Sequence, residues 1–226
     1  MNIFIPAPIP ENLMSRLIVL DCDSTLSSIE GVDELARMKG AEIYQQVEEA
    51  TQRAMEGAIS LESVFRFRME LIRPTSADLE TLSRLYIETL APGALEVIHS
   101  LQASGWITTV VSGGLLPPVR ALSDHLGIRE VMAVPVFFNP DGSYLHCDTS
   151  YPTAVSGGKP LCLQQLKARY QPDFTVMVGD GVSDLETKPE VDLFIGFGGF
   201  AERQRVREEA HHFILHFNEL TALLPA

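Results

Sequence analysis

Four consecutive apolar residues, Leu17 to Leu20, stop abruptly at Asp21-Cys22-Asp23-Ser24-Thr25. A buried parallel strand reads this way, because it delivers polar residues at its carboxyl end, where open α/β sheets bind their ligands. Extended backbone has a side-chain period of two, so Asp21 and Asp23 can face one side and Cys22 the other, packed against the sheet. Two carboxylates then share one small space. That arrangement is costly unless a cation sits nearby or one carboxyl holds a proton. An Asp-rich turn after a strand fits this stretch equally well when it is taken alone.

From Gly31 to Leu90 the period becomes helical. Ile43, Val47, Ala50 and Ala54 form one stripe, and Leu79, Leu82, Tyr86 and Leu90 form another. Pro74 and Pro92 punctuate the region and its exit. The pattern predicts a small helical cap over residues 30–90, inserted after the first strand. Within it Leu61, Val64, Phe65, Leu71 and Ile72 share a face with Arg68. A guanidinium on that face needs an anion, internal or a ligand's, unless it snorkels at the rim of the bundle; the pattern leaves both open.

After Pro92 an α/β rhythm begins. Pro92 can open a helix bearing Ala94, Leu95, Ile98 and Leu101, with Gly105 as its stop, and the strand Trp106 to Val111 runs into Ser112-Gly113-Gly114. A short helix follows, with Val119, Leu122 and Leu126 inward. Val131 to Phe138 and Ser143 to Cys147 flank Asn139-Pro140-Asp141-Gly142, a hairpin signal that Pro135 weakens on its first strand. Lys159-Pro160 opens a helix bearing Leu163, Leu166 and Tyr170, and the buried strand Phe174 to Val178 ends in Gly179-Asp180-Gly181-Val182-Ser183-Asp184. Val191 to Phe197 and a final charged helix complete the sheet. His211 and His212 fall on that helix as divergent surface residues. The expected fold is therefore α/β, with a Rossmann-like parallel sheet flanked by helices. Its core spans residues 16–29 and 91–226, and an extended, proline-rich arm spans 1–15.

A length of 226 residues with 46% hydrophobic content suits one such domain and a small second unit. Seventeen Lys and Arg against thirty Asp and Glu give a net charge of −13, which argues against nucleic acid or an anionic membrane as partner. Cys22, Cys147 and Cys162 are odd in number and scattered, so neither a disulfide framework nor a zinc site is indicated. The N-terminus lacks a basic segment and carries Pro6, Pro8 and Pro10 where a signal peptide would be apolar. No apolar run approaches the ~20 residues of a membrane helix, and a cytoplasmic location is expected. The sequence leaves open whether the chain works alone or as a homodimer.

Four polar clusters thus fall at strand ends or a helix start: Asp21 with Asp23, Ser112 with Gly113, Lys159, and Asp180 with Asp184. Singly each reads as a turn or a solvated side chain. Together they suit a phosphate held beside Mg²⁺, which takes oxygen ligands and keeps part of its water. Lysine and metal offset the charge on a transferring phosphoryl group, one carboxylate attacks phosphorus, and a second handles the protons.

In this order DCDST, VSGG, SGGK and GDGVSD resemble the four motifs of the haloacid dehalogenase phosphatase superfamily. DCDSTLSSIEGVDELAR, RAMEGAISLESVFRFR and FIGFGG extend the resemblance, over roughly residues 16–217, to its phosphoserine phosphatase family. The resemblance implies Mg²⁺-dependent hydrolysis of O-phosphoserine, a step of serine biosynthesis, through an aspartyl-phosphate. It implies Asp21 as nucleophile, Asp23 as general acid/base, and Asp180 as a metal ligand with Asp21 and the Asp23 backbone carbonyl, supported by Asp184. Ser112, Gly113 and Lys159 would hold the phosphate. Glu30 would take the substrate ammonium and Arg68 its carboxylate, Met55 would line the pocket, and Ser183 and Arg203 match further pocket positions. Three departures leave the chemistry intact but bear on pocket shape: Leu115-Leu116-Pro117-Pro118 after the SGG, Glu56 after the methionine, and Pro160 in place of a common glycine.

Other readings remain within the enzyme class, namely hydrolysis of another small phosphomonoester or transfer of the phosphoryl group to another alcohol. From other classes, a silent binding protein and an aspartate-phosphorylated signalling receiver compete. The receiver has no use for an acid/base at Asp23 or for a helical lid carrying Glu30 and Arg68.

Overall fold

The computed structural model describes residues 14–55 and 61–225, and side chains over 14–51 and 63–225. Most of the expected N-terminal arm, Glu56 and the Met55 side chain lie outside the described residues.

The strands are β1 (Arg16–Leu20), β2 (Trp106–Leu115), β3 (Glu130–Val134), β4 (Val136–Phe138), β5 (Tyr144–Cys147), β6 (Phe174–Gly179), β7 (Leu193–Phe197) and β8 (His212–Ile214). Among the described residues six of them form one sheet in the order β3-β2-β1-β6-β7-β8, and every pair in it is parallel. The chain therefore starts in the middle and winds outward in both directions. Between β1 and β6 the winding reverses, which opens a crevice at their carboxyl ends. Leu20 is aligned with Val110 on one side and Val178 on the other, so Asp21 is the first residue past the ladder.

All five residues of β1 are buried, as a central strand covered on both faces requires. Ile18 and Leu20 belong to the larger apolar cluster, Leu17 and Val19 to a second cluster on the opposite face. The first cluster is covered by α5 (Ala94–Ala103) and α6 (Leu116–His125). The second is covered by α7 (Gly158–Tyr170), α8 (Val182–Leu185) and α9 (Gln204–Glu209). Cys22 is fully buried in the first cluster, where burial raises its thiol above the ordinary value, helped by Asp23 and Asp21, so packing is its role.

Between β1 and α5 the chain forms α1 (Gly31–Met38), α2 (Ala41–Met55), α3 (Leu61–Ile72) and α4 (Ser76–Glu88). Of the expected stripes, Val47 and Ala50 on α2, Val64, Phe65 and Ile72 on α3, and Leu79, Leu82 and Tyr86 on α4 are buried. Ile43, Leu71 and Leu90 are half-buried, Leu90 past the end of α4, and the Ala54 and Leu61 side chains lie outside the described residues. Leu35, Met69 and Tyr86 lie in the same apolar cluster as Ile18 and Leu20, so this helical layer and the sheet share one core. Helix α4 is the bridge, packing against both α1 and α6. Its start is fixed by a capping box: Thr75 Oγ1 accepts from the Asp78 amide at 3.2 Å while Asp78 accepts from the Thr75 amide at 2.7 Å. Such a cap is worth ~1 kcal/mol. Lys39 pairs with the same Asp78 carboxylate and ties the end of α1 to the start of α4. Among the described residues no helix is long and apolar enough to cross a membrane.

Four local expectations are corrected. Ser112-Gly113-Gly114 is not a turn; β2 stays extended through Leu115, with a register shift against β3 between Val111 and Leu115. The run Val131 to Phe138 is split by Pro135, which has no amide to continue a ladder. Its first half joins the parallel sheet as β3, and its second half pairs with β5 in a separate hairpin. Helix α5 begins at Ala94, after Gly93 in left-handed conformation, and not at Pro92. Finally, His211 and His212 are not on a helix: α9 ends at Glu209 and His212 opens the edge strand β8, while His211 Nδ1 accepts the Phe194 amide of β7 at 2.9 Å.

Candidate active site

The Asp21 amide donates to the Val178 carbonyl at 3.0 Å, which extends the β1–β6 ladder by one bond and sets the carboxylate in the crevice. Lys159 approaches from the first turn of α7. Its Nζ lies 2.8 Å from Asp21 Oδ1 and 2.6 Å from Asp184 Oδ1, with all three side chains almost entirely buried. Gly158 makes this approach feasible, since a Cβ there would stand 1.6 Å from the Pro152 carbonyl oxygen. Pro160 costs nothing here, because the first four helical amides have no partner within the helix. Burial pushes the Lys159 ammonium down, but Asp184 and Asp21 outweigh it and hold the proton on lysine. Burial, then Asp21, raise the Asp184 carboxyl to about 7 against the opposing pull of Lys159.

Asp21, Asp180 and Asp184 each offer a carboxylate oxygen, and the three lie within 4.8 Å of one another. Three buried carboxylates are a hard-oxygen donor set that fits a divalent cation such as Mg²⁺. Thr25 Oγ1 donates to Asp180 Oδ1 at 2.9 Å, and the Arg203 guanidinium pairs with Asp180 Oδ2.

Asp23 is turned elsewhere. Its Oδ1 accepts from Tyr86 Oη at 2.5 Å and from the Gly31 amide at 2.7 Å. Desolvation, then Glu30 and Asp21, raise this carboxyl to about 7 against those two donors. A carboxylic acid with a proton to give near neutrality is what leaving-group protonation needs.

Ser24, in left-handed conformation at φ 50°, swings the chain out of β1, and its Oγ donates to Glu30 Oε1 at 2.7 Å. The same oxygen lies 3.4 Å from Arg203 Nη2. Arg68 projects from α3 with weak partners: Asp33 Oδ1 at 3.9 Å and Thr51 Oγ1 at 3.5 Å. Its Nε is buried with no hydrogen-bond partner among the described residues, and burial lowers its pKa.

One cavity of about 270 Å³ collects these groups. Asp21, Asp23, Glu30, Arg68, Gly113, Lys159, Asp180, Ser183, Asp184 and Arg203 all line it. Ser112 is not on the wall; it is fully buried, and its Oγ accepts the Gly114 amide at 3.0 Å. Tyr86, Thr25 and Asp33 escaped the sequence reading. Tyr86 sits on an apolar stripe, where only its hydroxyl distinguishes it from a core phenyl ring.

A buried carboxylate beside a lysine, with a hard-oxygen triad at a sheet's switch point, suits an α/β enzyme that acts on an anionic substrate. The chain belongs to the haloacid dehalogenase-like hydrolases, whose family model matches residues 18–187. It is 36% identical over 209 residues to a phosphoserine phosphatase of Bos taurus, covering 92% of each chain. Among solved structures it resembles a substrate-bound phosphoserine phosphatase complex, with TM-score 0.80 and 26% identity over 95% of this chain and 100% of that one. It also resembles a phospho-aspartyl intermediate analogue of phosphoserine phosphatase, with TM-score 0.79 and 26% identity over 94% of this chain and 100% of that one.

Proposed function

We propose that this chain is a Mg²⁺-dependent phosphomonoesterase that hydrolyses O-phosphoserine to serine and phosphate. The observation that carries the substrate is Arg68, a half-buried guanidinium whose Nε is buried and which is poorly partnered among the described residues, on the wall of a cavity that also holds Lys159 and three clustered aspartates. Lys159 serves the phosphate; Arg68 remains for a second anion, the substrate carboxylate, and Glu30 for its ammonium. A cavity of about 270 Å³ suits a small amino-acid phosphate and excludes a folded partner.

Asp21, whose Oδ1 lies 2.8 Å from Lys159 Nζ, attacks phosphorus through one carboxylate oxygen. The bond to the serine oxygen breaks, Asp23 gives that oxygen its proton, and Asp21 becomes an aspartyl-phosphate. Asp23 then takes a proton from the water that attacks phosphorus, which returns Asp21 and releases phosphate. Gly113 and Lys159 hold the phosphoryl oxygens, while Ser112, off the cavity wall, fixes the strand end through its bond from the Gly114 amide. Asp21, Asp180, Asp184 and the Asp23 carbonyl would hold Mg²⁺, which when bound offsets the charge on the phosphoryl group. In this reading α1 to α4 act as a cap over the site. The three cysteines are free, which fits a reducing compartment, the cytoplasm.

Arg68→Ala tests the substrate. Removing a charge-assisted contact is expected to lower kcat/KM for O-phosphoserine roughly 10- to 100-fold. O-phosphoethanolamine, which lacks the carboxylate, should be little affected. Equal losses on both esters would overturn the carboxylate clamp.

A further inference from the structure

The side chain of Asp23 presents a problem of choice. A carboxyl group turns freely about its last torsion, whose profile is broad and nearly two-fold, so its oxygens are interchangeable unless the surroundings distinguish them. Here they are distinguished. Tyr86 Oη and the Gly31 amide both donate to Oδ1, at 2.5 and 2.7 Å.

Both donors are held rigidly. Tyr86 is fully buried on α4, which packs on α1 and α6, and Gly31 is the first residue of α1. A Cβ at Gly31 would lie 2.1 Å from Tyr86 Oη and 3.3 Å from Asp23 Oδ1, so only glycine lets hydroxyl, amide and carboxyl meet. Oδ2 points the other way: a Cβ at Gly114 would lie 3.0 Å from it and 3.2 Å from Ser112 Oγ. It therefore faces the end of β2 at Gly114, and Asp23 and Gly113 both line the cavity.

Taking Asp23 as the acid/base of the reading above, we propose that Tyr86 is a positioning residue. With the Gly31 amide it commits Oδ1 to accepting hydrogen bonds, so that Oδ2 alone gives the proton to the leaving oxygen and later takes one from water. Oδ1 can accept both bonds whether Asp23 is a carboxylate or a carboxylic acid, since a carboxyl C=O accepts as well. The arrangement thus holds through both half-reactions, and each proton leaves or returns on the oxygen that faces the phosphoryl group. Tyr86 touches neither substrate nor metal in this scheme. It acts through Asp23, from a helix outside the core sheet.

Tyr86→Phe keeps the buried ring and removes only the hydroxyl. The readout is kcat/KM, which covers steps through phosphoryl transfer to Asp21, measured with O-phosphoserine and with p-nitrophenyl phosphate. The serine alkoxide needs a proton to leave, whereas nitrophenolate does not. The expected result is a loss of roughly 10- to 100-fold on O-phosphoserine, the scale of a general-acid contribution, and no comparable loss on the aryl ester. Gly31→Ala, which displaces the hydroxyl, should give the same selective loss, and thermal unfolding of both variants shows whether the fold is kept. Equal losses on the two esters, or undiminished phosphoserine turnover, would overturn the proposal. A wild-type protein that releases phosphate from neither ester would instead remove the reading on which it rests.

Discussion

Asp21→Asn is expected to abolish turnover of O-phosphoserine, by roughly four orders of magnitude or more, because the amide cannot attack phosphorus. The fold should survive. The Asp21 amide bond to Val178 is made by backbone, and Lys159 keeps its second partner, Asp184, at 2.6 Å. Removing one of two anions facing a buried lysine leaves a one-to-one pair, so no charge is stranded. Phosphate release together with an unfolding curve separates the two effects. Lost activity with a retained cooperative transition supports the nucleophile assignment; retained activity would move the attack to another group.

Lys159→Met is expected to act on stability as well as on turnover. Asp21 and Asp184 face that ammonium from two sides, and their side chains are 10% and 0% exposed. Methionine fills a similar volume but leaves both carboxylates buried without their cation, which costs about 3–5 kcal/mol when one partner of a buried pair is removed. Neutralising one anion should relieve most of that loss, so Lys159→Met/Asp184→Asn is predicted to unfold at a higher denaturant concentration than Lys159→Met alone. Turnover stays low in both, because the phosphate has lost its lysine. A Lys159→Met protein as stable as wild type would show that water already screens this pair.

These two effects fall on residues legible in the sequence, and the reason is local. Asp21, Asp23, Asp180 and Lys159 stand at strand ends or a helix start, positions that hydrophobic runs and punctuation mark directly. Arg68 was legible from its apolar face, though periodicity could not say whether it found an anion. What escaped depends on tertiary placement. Tyr86 reads as core because its ring is core; its hydroxyl gains meaning only when α4 is laid beside α1. Strand β8 is three residues long, with only Ile214 buried, too short to show an alternation beside a charged helix. At Pro135 the sequence carried the signal, a missing amide, but not the consequence that the two halves enter different sheets.

The central claim is that this cavity hydrolyses O-phosphoserine with a divalent cation held by the aspartate triad. Its most direct measurement is phosphate release by the wild-type chain from O-phosphoserine and from O-phosphoethanolamine, with Mg²⁺ and again after chelation. Release with Mg²⁺, a clear preference for O-phosphoserine and loss of activity with EDTA are the predicted results. Undiminished release in EDTA, or no release from O-phosphoserine with Mg²⁺ present, would contradict the account.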